Sequence, residues 1–158
     1  MPDVFLSYAK EDEKLALSTH AIFEAHGLSA FMAKTSLAPG ALWADKILSA
    51  LRSSPLVLCF VSKAACASPY VQQESGIAIE GQKTIVPIVW DMDPAELPGW
   101  LRKYQAFDLR AFCPEEYAAK LNEFAGRIRA KKDTTRLWLV SALLLLVVIL
   151  LYIQARQA

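Results

Sequence analysis

An α/β fold is predicted: a five-stranded parallel sheet flanked by helices, followed by one C-terminal transmembrane helix. Three observations predict it. Short apolar runs alternate along the chain with segments whose apolar residues recur at helical spacing, the pattern of successive βαβ units. The run LVLCFV at 56–61 is continuously apolar, as in a strand buried on both faces of a parallel sheet. Near the end, LWLVSALLLLVVILLYI at 137–153 holds Ser141 as its one polar residue.

Residues 4–8 form the first strand. Asp12 is placed to cap the helix that follows, where Leu15, Ile22 and Phe23 recur at helical spacing, and Gly27 to end it. His20 and His26 lie there without a second ligand in view and read as surface or capping residues. Residues 28–32 give the second strand. The segment KTSLAPG at 34–40 is a loop punctuated by Pro39-Gly40, and 41–51 the second helix. After the third strand, Ser68-Pro69 opens another helix, serine at the cap and proline in the first turn, with Gly81 to close it. TIVPIVW at 84–90 is the fourth strand. Pro87 cannot donate to the ladder, so pairing breaks there on one side. A short fifth strand is expected at 105–109. The last helix, about 114–129, carries Tyr117, Leu121, Phe124 and Ile128 as one apolar stripe. The whole is a flavodoxin-like arrangement, which binds ligands beyond the carboxyl ends of its strands.

At 158 residues the chain holds one domain and an appendage. The implied division is a domain over 1–130, a basic linker at 131–136, a membrane helix at 137–153 and a short tail at 154–158. As a helix the apolar run would span roughly 25 Å, close to the hydrocarbon thickness of a bilayer. Trp138 and Tyr152 fall near its ends, where amphipathic rings favour the interface. Arg127, Arg129, Lys131, Lys132 and Arg136 precede the run and Arg156 alone follows it, so the N-terminal domain is expected on the cytoplasmic side of a single-pass anchor. The charged opening MPDVFLSYAKED argues against a cleaved signal peptide. A net charge of +1 without a clustered basic face argues against a nucleic-acid partner. Cys59, Cys66 and Cys113 match no metal spacing, so no metal is expected and the thiols read as free in a reducing compartment.

Three local motifs now stand in order. DVFLSYAKED at 3–12 sets an aromatic, Ser-Tyr and then acidic residues on the opening strand; SLAPGALW at 36–43 ends a loop in Pro-Gly and a tryptophan; SPYVQQE at 68–74 opens a helix. Together they resemble the Toll/interleukin-1 receptor (TIR) domain, and the likeness covers about 3–112. The compact length resembles bacterial antiviral-defence members. In family members that consume NAD, the glutamate of the third motif is catalytic, and here that position is Glu74. The second motif corresponds to the family's BB loop, which implies an assembly role for Ser36, Pro39 and Gly40. Departures are Ala33-Lys34-Thr35, where several NAD-consuming relatives carry acids, and Tyr70, where tryptophan is common.

The residues suit that chemistry. Nicotinamide leaves NAD as a neutral pyridine from a pyridinium, so no general acid is needed. One carboxylate suffices to bind the ribose and stabilise an oxocarbenium-like transition state. Tyr70 and Glu74 stand at i and i+4 and face the same way on a helix, the ring placed to stack on a base. Ser7 and Tyr8 end the first strand, at the edge where the crevice lies. Lys10 either holds the pyrophosphate or is an ordinary surface lysine, and Trp43 either covers the pocket or packs in the core. The resemblance therefore implies a membrane-held enzyme that takes NAD as substrate, without a separate cofactor, and releases nicotinamide with ADP-ribose or a cyclised or conjugated form. Expected partners are further copies of the chain, the membrane, and other TIR or ADP-ribose-sensing proteins. The alternative is a non-catalytic adaptor that recruits other TIR domains to the membrane.

Overall fold

The computed structural model describes residues 1–32 and 43–157, with side chains described outside 43–44, 114, 136, 139–142 and 145–157. Five parallel strands form one sheet in the order β2-β1-β3-β4-β5: β1 Val4–Ser7, β2 Ala30–Phe31, β3 Leu56–Val61, β4 Thr84–Val89 and β5 Phe107–Asp108. The helices are α1 Glu13–Ala25, α2 Trp43–Ser53, α3 Lys63–Ala67, α4 Pro69–Glu80 and α5 Pro114–Gln157, with single 3-10 turns at Lys10–Asp12 and Pro94–Glu96.

Alternation along the strands builds two cores. Leu56, Leu58 and Phe60 of β3 join Val4, Leu6 and Ile88 on one face, beneath Ala16 and Phe23 of α1 and Leu121 and Ala125 of α5. Val57, Cys59 and Val61 join Phe5 and Ile85 on the other, beneath Ile47 and Leu51 of α2 and Val71 and Ala78 of α4. Every residue of β3 is buried, as its continuous apolar run requires.

Several local expectations are corrected. Asp12 makes no side-chain cap to α1 but turns inward and is buried. Gly27 ends α1 as expected, with φ +68. Gly81 closes α4 as expected, its amide returning to the Ile77 carbonyl, and the left-handed position falls one residue on at Gln82, with φ 50. The edge strands β2 and β5 pair over two residues each, fewer than the apolar runs suggested. Pairing of β4 with β5 is confined to Ile88 and Val89, beyond Pro87. The expectation had no helix at 63–67; α3 stands there, capped by the Ser62 hydroxyl accepting from the Ala65 amide at 3.0 Å.

The last helix does not stop near 129. It runs unbroken through the basic stretch and the apolar run to Gln157. Where described, Leu137, Trp138, Leu143 and Leu144 are exposed. Among the described residues no helix is long and apolar enough to cross a membrane, and most side chains of 137–153 lie outside them.

Candidate active site

Strand order reverses between β1 and β3, and at that switch point a cleft of about 560 Å³ opens beyond the carboxyl ends of both strands. One wall is the chain leaving β1: Tyr8, Ala9, Lys10, Glu11 and Glu13. The other is the chain leaving β3: Ala64 and Ala67 of α3, then Ser68, Tyr70 and Glu74.

Local sequence explains the second wall. Ser68 accepts from the Val71 amide at 3.5 Å and Pro69 occupies the first helical position, so α4 starts abruptly at the cleft. One turn separates Tyr70 from Glu74. Tyr70 is 65% exposed at the rim, while Glu74 is half-buried below it.

Glu74 is the chemical centre of this arrangement. The Ser7 hydroxyl, 1% exposed at the end of β1, donates to Glu74 Oε2 at 2.5 Å. Burial pushes the Glu74 carboxyl from its ordinary 4.5 up to about 7, against the opposing pull of the Ser7 bond. Behind it the buried Cys59 Sγ lies 3.4 Å from the Ser75 hydroxyl, and burial lifts that thiol to about 11, so Cys59 is a neutral packing residue.

A second buried carboxyl frames the first wall. Asp12 Oδ2 accepts from the Ser62 hydroxyl at 2.7 Å, and Asp12 Oδ1 accepts from the Trp90 indole at 3.0 Å. Burial raises this carboxyl while the two donors lower it, with burial prevailing. Asp12 follows β1, Ser62 follows β3 and Trp90 follows β4, so one side chain clasps three strand ends, on the side of the first wall that faces α1 and α5.

The structure thus brings Tyr8, Lys10, Tyr70 and Glu74 to one cleft, and Ser7 beneath it in contact with Glu74 rather than on the lining. The side chain of Trp43, which begins α2, and Ser36, Pro39 and Gly40 lie outside the described residues. Sequence reasoning missed α3, which lines the cleft, and the clasp made by Asp12, Ser62 and Trp90. Ser62 before KAACA was a usable cap signal for the first; no local signal announces the second. Among the described residues no cluster of His, Cys, Asp and Glu is suited to a metal ion.

Comparison with known proteins agrees with this architecture. A family model described as "TIR domain" matches residues 4–124. The chain is 29% identical over 108 residues to a protein of Brachypodium distachyon named "Probable 2' cyclic ADP-D-ribose synthase BdTIR". That match spans 68% of this chain and 45% of the relative, less than half its length. Among solved structures, the TIR domain of the Toll-related receptor TRR-2 from Hydra magnipapillata superposes with a TM-score of 0.66 at 22% identity, over 82% of this chain and 99% of that one. A metazoan TIR-STING receptor from C. gigas gives 0.65 at 20% identity, over 80% of this chain and 40% of that one. At such identities the two structures bear on the fold alone.

Proposed function

The chain belongs to the TIR-domain family, and from that premise we propose that it cleaves NAD at the bond between nicotinamide and ribose. The observation that carries the reading is Glu74: a carboxyl lifted to about 7 at the floor of the switch-point cleft, held by a single hydroxyl. The relative named as a cyclic ADP-ribose synthase supports the same bond as the target.

In the proposed reaction the C1′–N bond breaks and its electron pair stays on the nicotinamide nitrogen, which becomes neutral. The positive charge passes to the ribose as an oxocarbenium-like centre. Ionised Glu74 stabilises that charge and accepts from the ribose hydroxyls. Ser7 holds the carboxylate in place, and the Tyr70 ring at the rim is positioned to stack on a base. A hydroxyl then adds at C1′ and loses its proton. Water in that role gives ADP-ribose; a hydroxyl of the substrate gives a cyclic product. No acid is needed for the leaving group, so a lone carboxyl is adequate chemistry.

The apolar run at 137–153, preceded by the basic stretch, supports the membrane half of the reading: a single-pass anchor with the domain on the cytoplasmic side. Held in two dimensions, copies of the domain gain effective concentration for assembly, which suits a role in antiviral signalling. The test is NAD loss and product mass with the full chain in liposomes, against Glu74→Ala. Turnover that falls by roughly 10²–10³-fold in the variant supports the proposal. Turnover unchanged in Glu74→Ala overturns it.

A further inference from the structure

The two ends of the sheet differ in what leaves them. At the carboxyl end Glu11 and Glu13 stand on the cleft beside Lys10, Lys63 follows β3, and Asp93 and Asp108 are paired with Arg110. At the amino end the turns before β1, β2 and β4 meet the ends of α2 and α4. There Arg52 and Lys131 are exposed, and Lys83 reaches the Arg52 carbonyl. From this basic end α5 departs.

Its departure is braced. Arg129 Nη1 donates to the Gly27 carbonyl at 2.8 Å while Arg129 Nε donates to Asp133 at 2.9 Å. Lys132 Nζ meets Asp3 at 2.7 Å, and the His26 ring lies 3.2 Å from Asn122. Gly27 fits this brace doubly: its φ of +68 suits glycine, and a Cβ there would stand 2.9 Å from Arg129 Nη1. Beyond the brace the helix continues without a break through the exposed Leu137 and Trp138.

We propose that α5 is a rigid mast that stands the domain by its basic end on an anionic lipid surface and holds the Glu74 cleft at the opposite end, away from the lipid. The inference rests on the membrane half of the reading above. Continuity with the apolar run selects the occupant: the helix leaves from the end that carries Arg52, Lys83 and Lys131, which anionic headgroups attract. Geometry sets the height. A strand of six residues spans roughly 20 Å, and the turn of helix between the brace and the apolar run adds roughly 6 Å.

The test uses the full chain with Cys66→Ser and Cys113→Ser, carrying one donor dye at Glu80→Cys, the end of α4 at the amino end of the sheet, or at Glu96→Cys, in the turn after β4 at its carboxyl end. Vesicles of phosphatidylcholine with phosphatidylserine carry an acceptor dye on the headgroups. Energy transfer several-fold stronger from position 80 than from 96 is expected. Insertion of Gly-Ser-Gly-Ser after Asp133 is expected to bring the two together. Equal transfer from both positions in the uninterrupted chain, with the chain floating with the vesicles, overturns the mast and leaves the anchor standing. Failure to float overturns the anchor and the mast together.

Discussion

Two acidic side chains enter the same end of this domain and meet different fates. Asp12 lies 1% exposed and accepts from two donors, Ser62 and Trp90, that stand behind strands not its own. Glu74 is half-buried beside an open cleft and accepts from Ser7. Both carboxyls are raised by burial, but Asp12 has its donors built in, whereas Glu74 keeps acceptor capacity directed at whatever fills the cleft. The difference separates a group that holds the walls from a group poised for chemistry, and it can be tested from both sides.

The largest effect is expected at Glu74. Glu74→Gln should lower NAD turnover by roughly 10²–10³-fold while leaving the fold intact. It should also stabilise the domain at alkaline pH. The folded protein binds the Glu74 proton more tightly than the unfolded chain does, with 4.5 raised to about 7. This group's contribution is therefore fully present below about 4.5 and is lost as pH rises to about 7. The variant lacks that loss, so its advantage over the parent should grow across the window and level off at roughly 3 kcal/mol. Thermal melts at pH 5 and pH 8 read it. An equal penalty at both would make Glu74 an ordinary structural residue.

Asp12→Ala should do the reverse. It strands the buried Ser62 hydroxyl, leaves the half-buried Trp90 indole without its acceptor, and should cost about 1–3 kcal/mol, a melting temperature lower by several degrees. Activity per folded molecule, measured well below the melting point, should fall far less than in Glu74→Gln. A collapse of activity without loss of stability would erase the distinction between the two carboxyls.

The pH profile sharpens the comparison. If ionised Glu74 carries the reaction, kcat/KM rises with pH through about 7 and then flattens. A bound nicotinamide cation beside the carboxylate lowers its pKa, so the kcat limb should lie at lower pH than the kcat/KM limb. A profile that falls through the same range would assign Glu74 the part of an acid instead. Ser7→Ala is expected to have the smallest effect. It removes the bond that opposes the raised pKa, so the rising limb should move to higher pH, with a loss of a few-fold at pH 7 that fades at pH 9.

Much of the fold can be read along the chain because it is written in periodicity. The continuous run of β3, the stripe Tyr117, Leu121, Phe124, Ile128, and the Ser68-Pro69 start of α4 are local signals, and each marks an observed element. The extents of β2 and β5 are not local. Each is an edge strand whose length depends on how far one neighbour stays within hydrogen-bonding reach. The same division runs through the site. Tyr70 and Glu74 are legible because four residues on a helix make one face. Asp12 looked like a helix cap because its nearest use is local, whereas its partners lie 50 and 78 residues away. The raised carboxyl of Glu74 is invisible for a similar reason: it depends on burial that β1, β3 and α4 create together.

The clasp also orders events in time. Ser62 and Trp90 reach Asp12 only after the β1–β3 and β3–β4 crossovers have been made, and such non-local pairings are the slow part of folding. The cleft walls that leave β1 and β3 are therefore finished late. A chain still being synthesised or half assembled has Glu74 but no crevice around it. For an enzyme of the proposed kind this delays NAD consumption until the whole domain has been built.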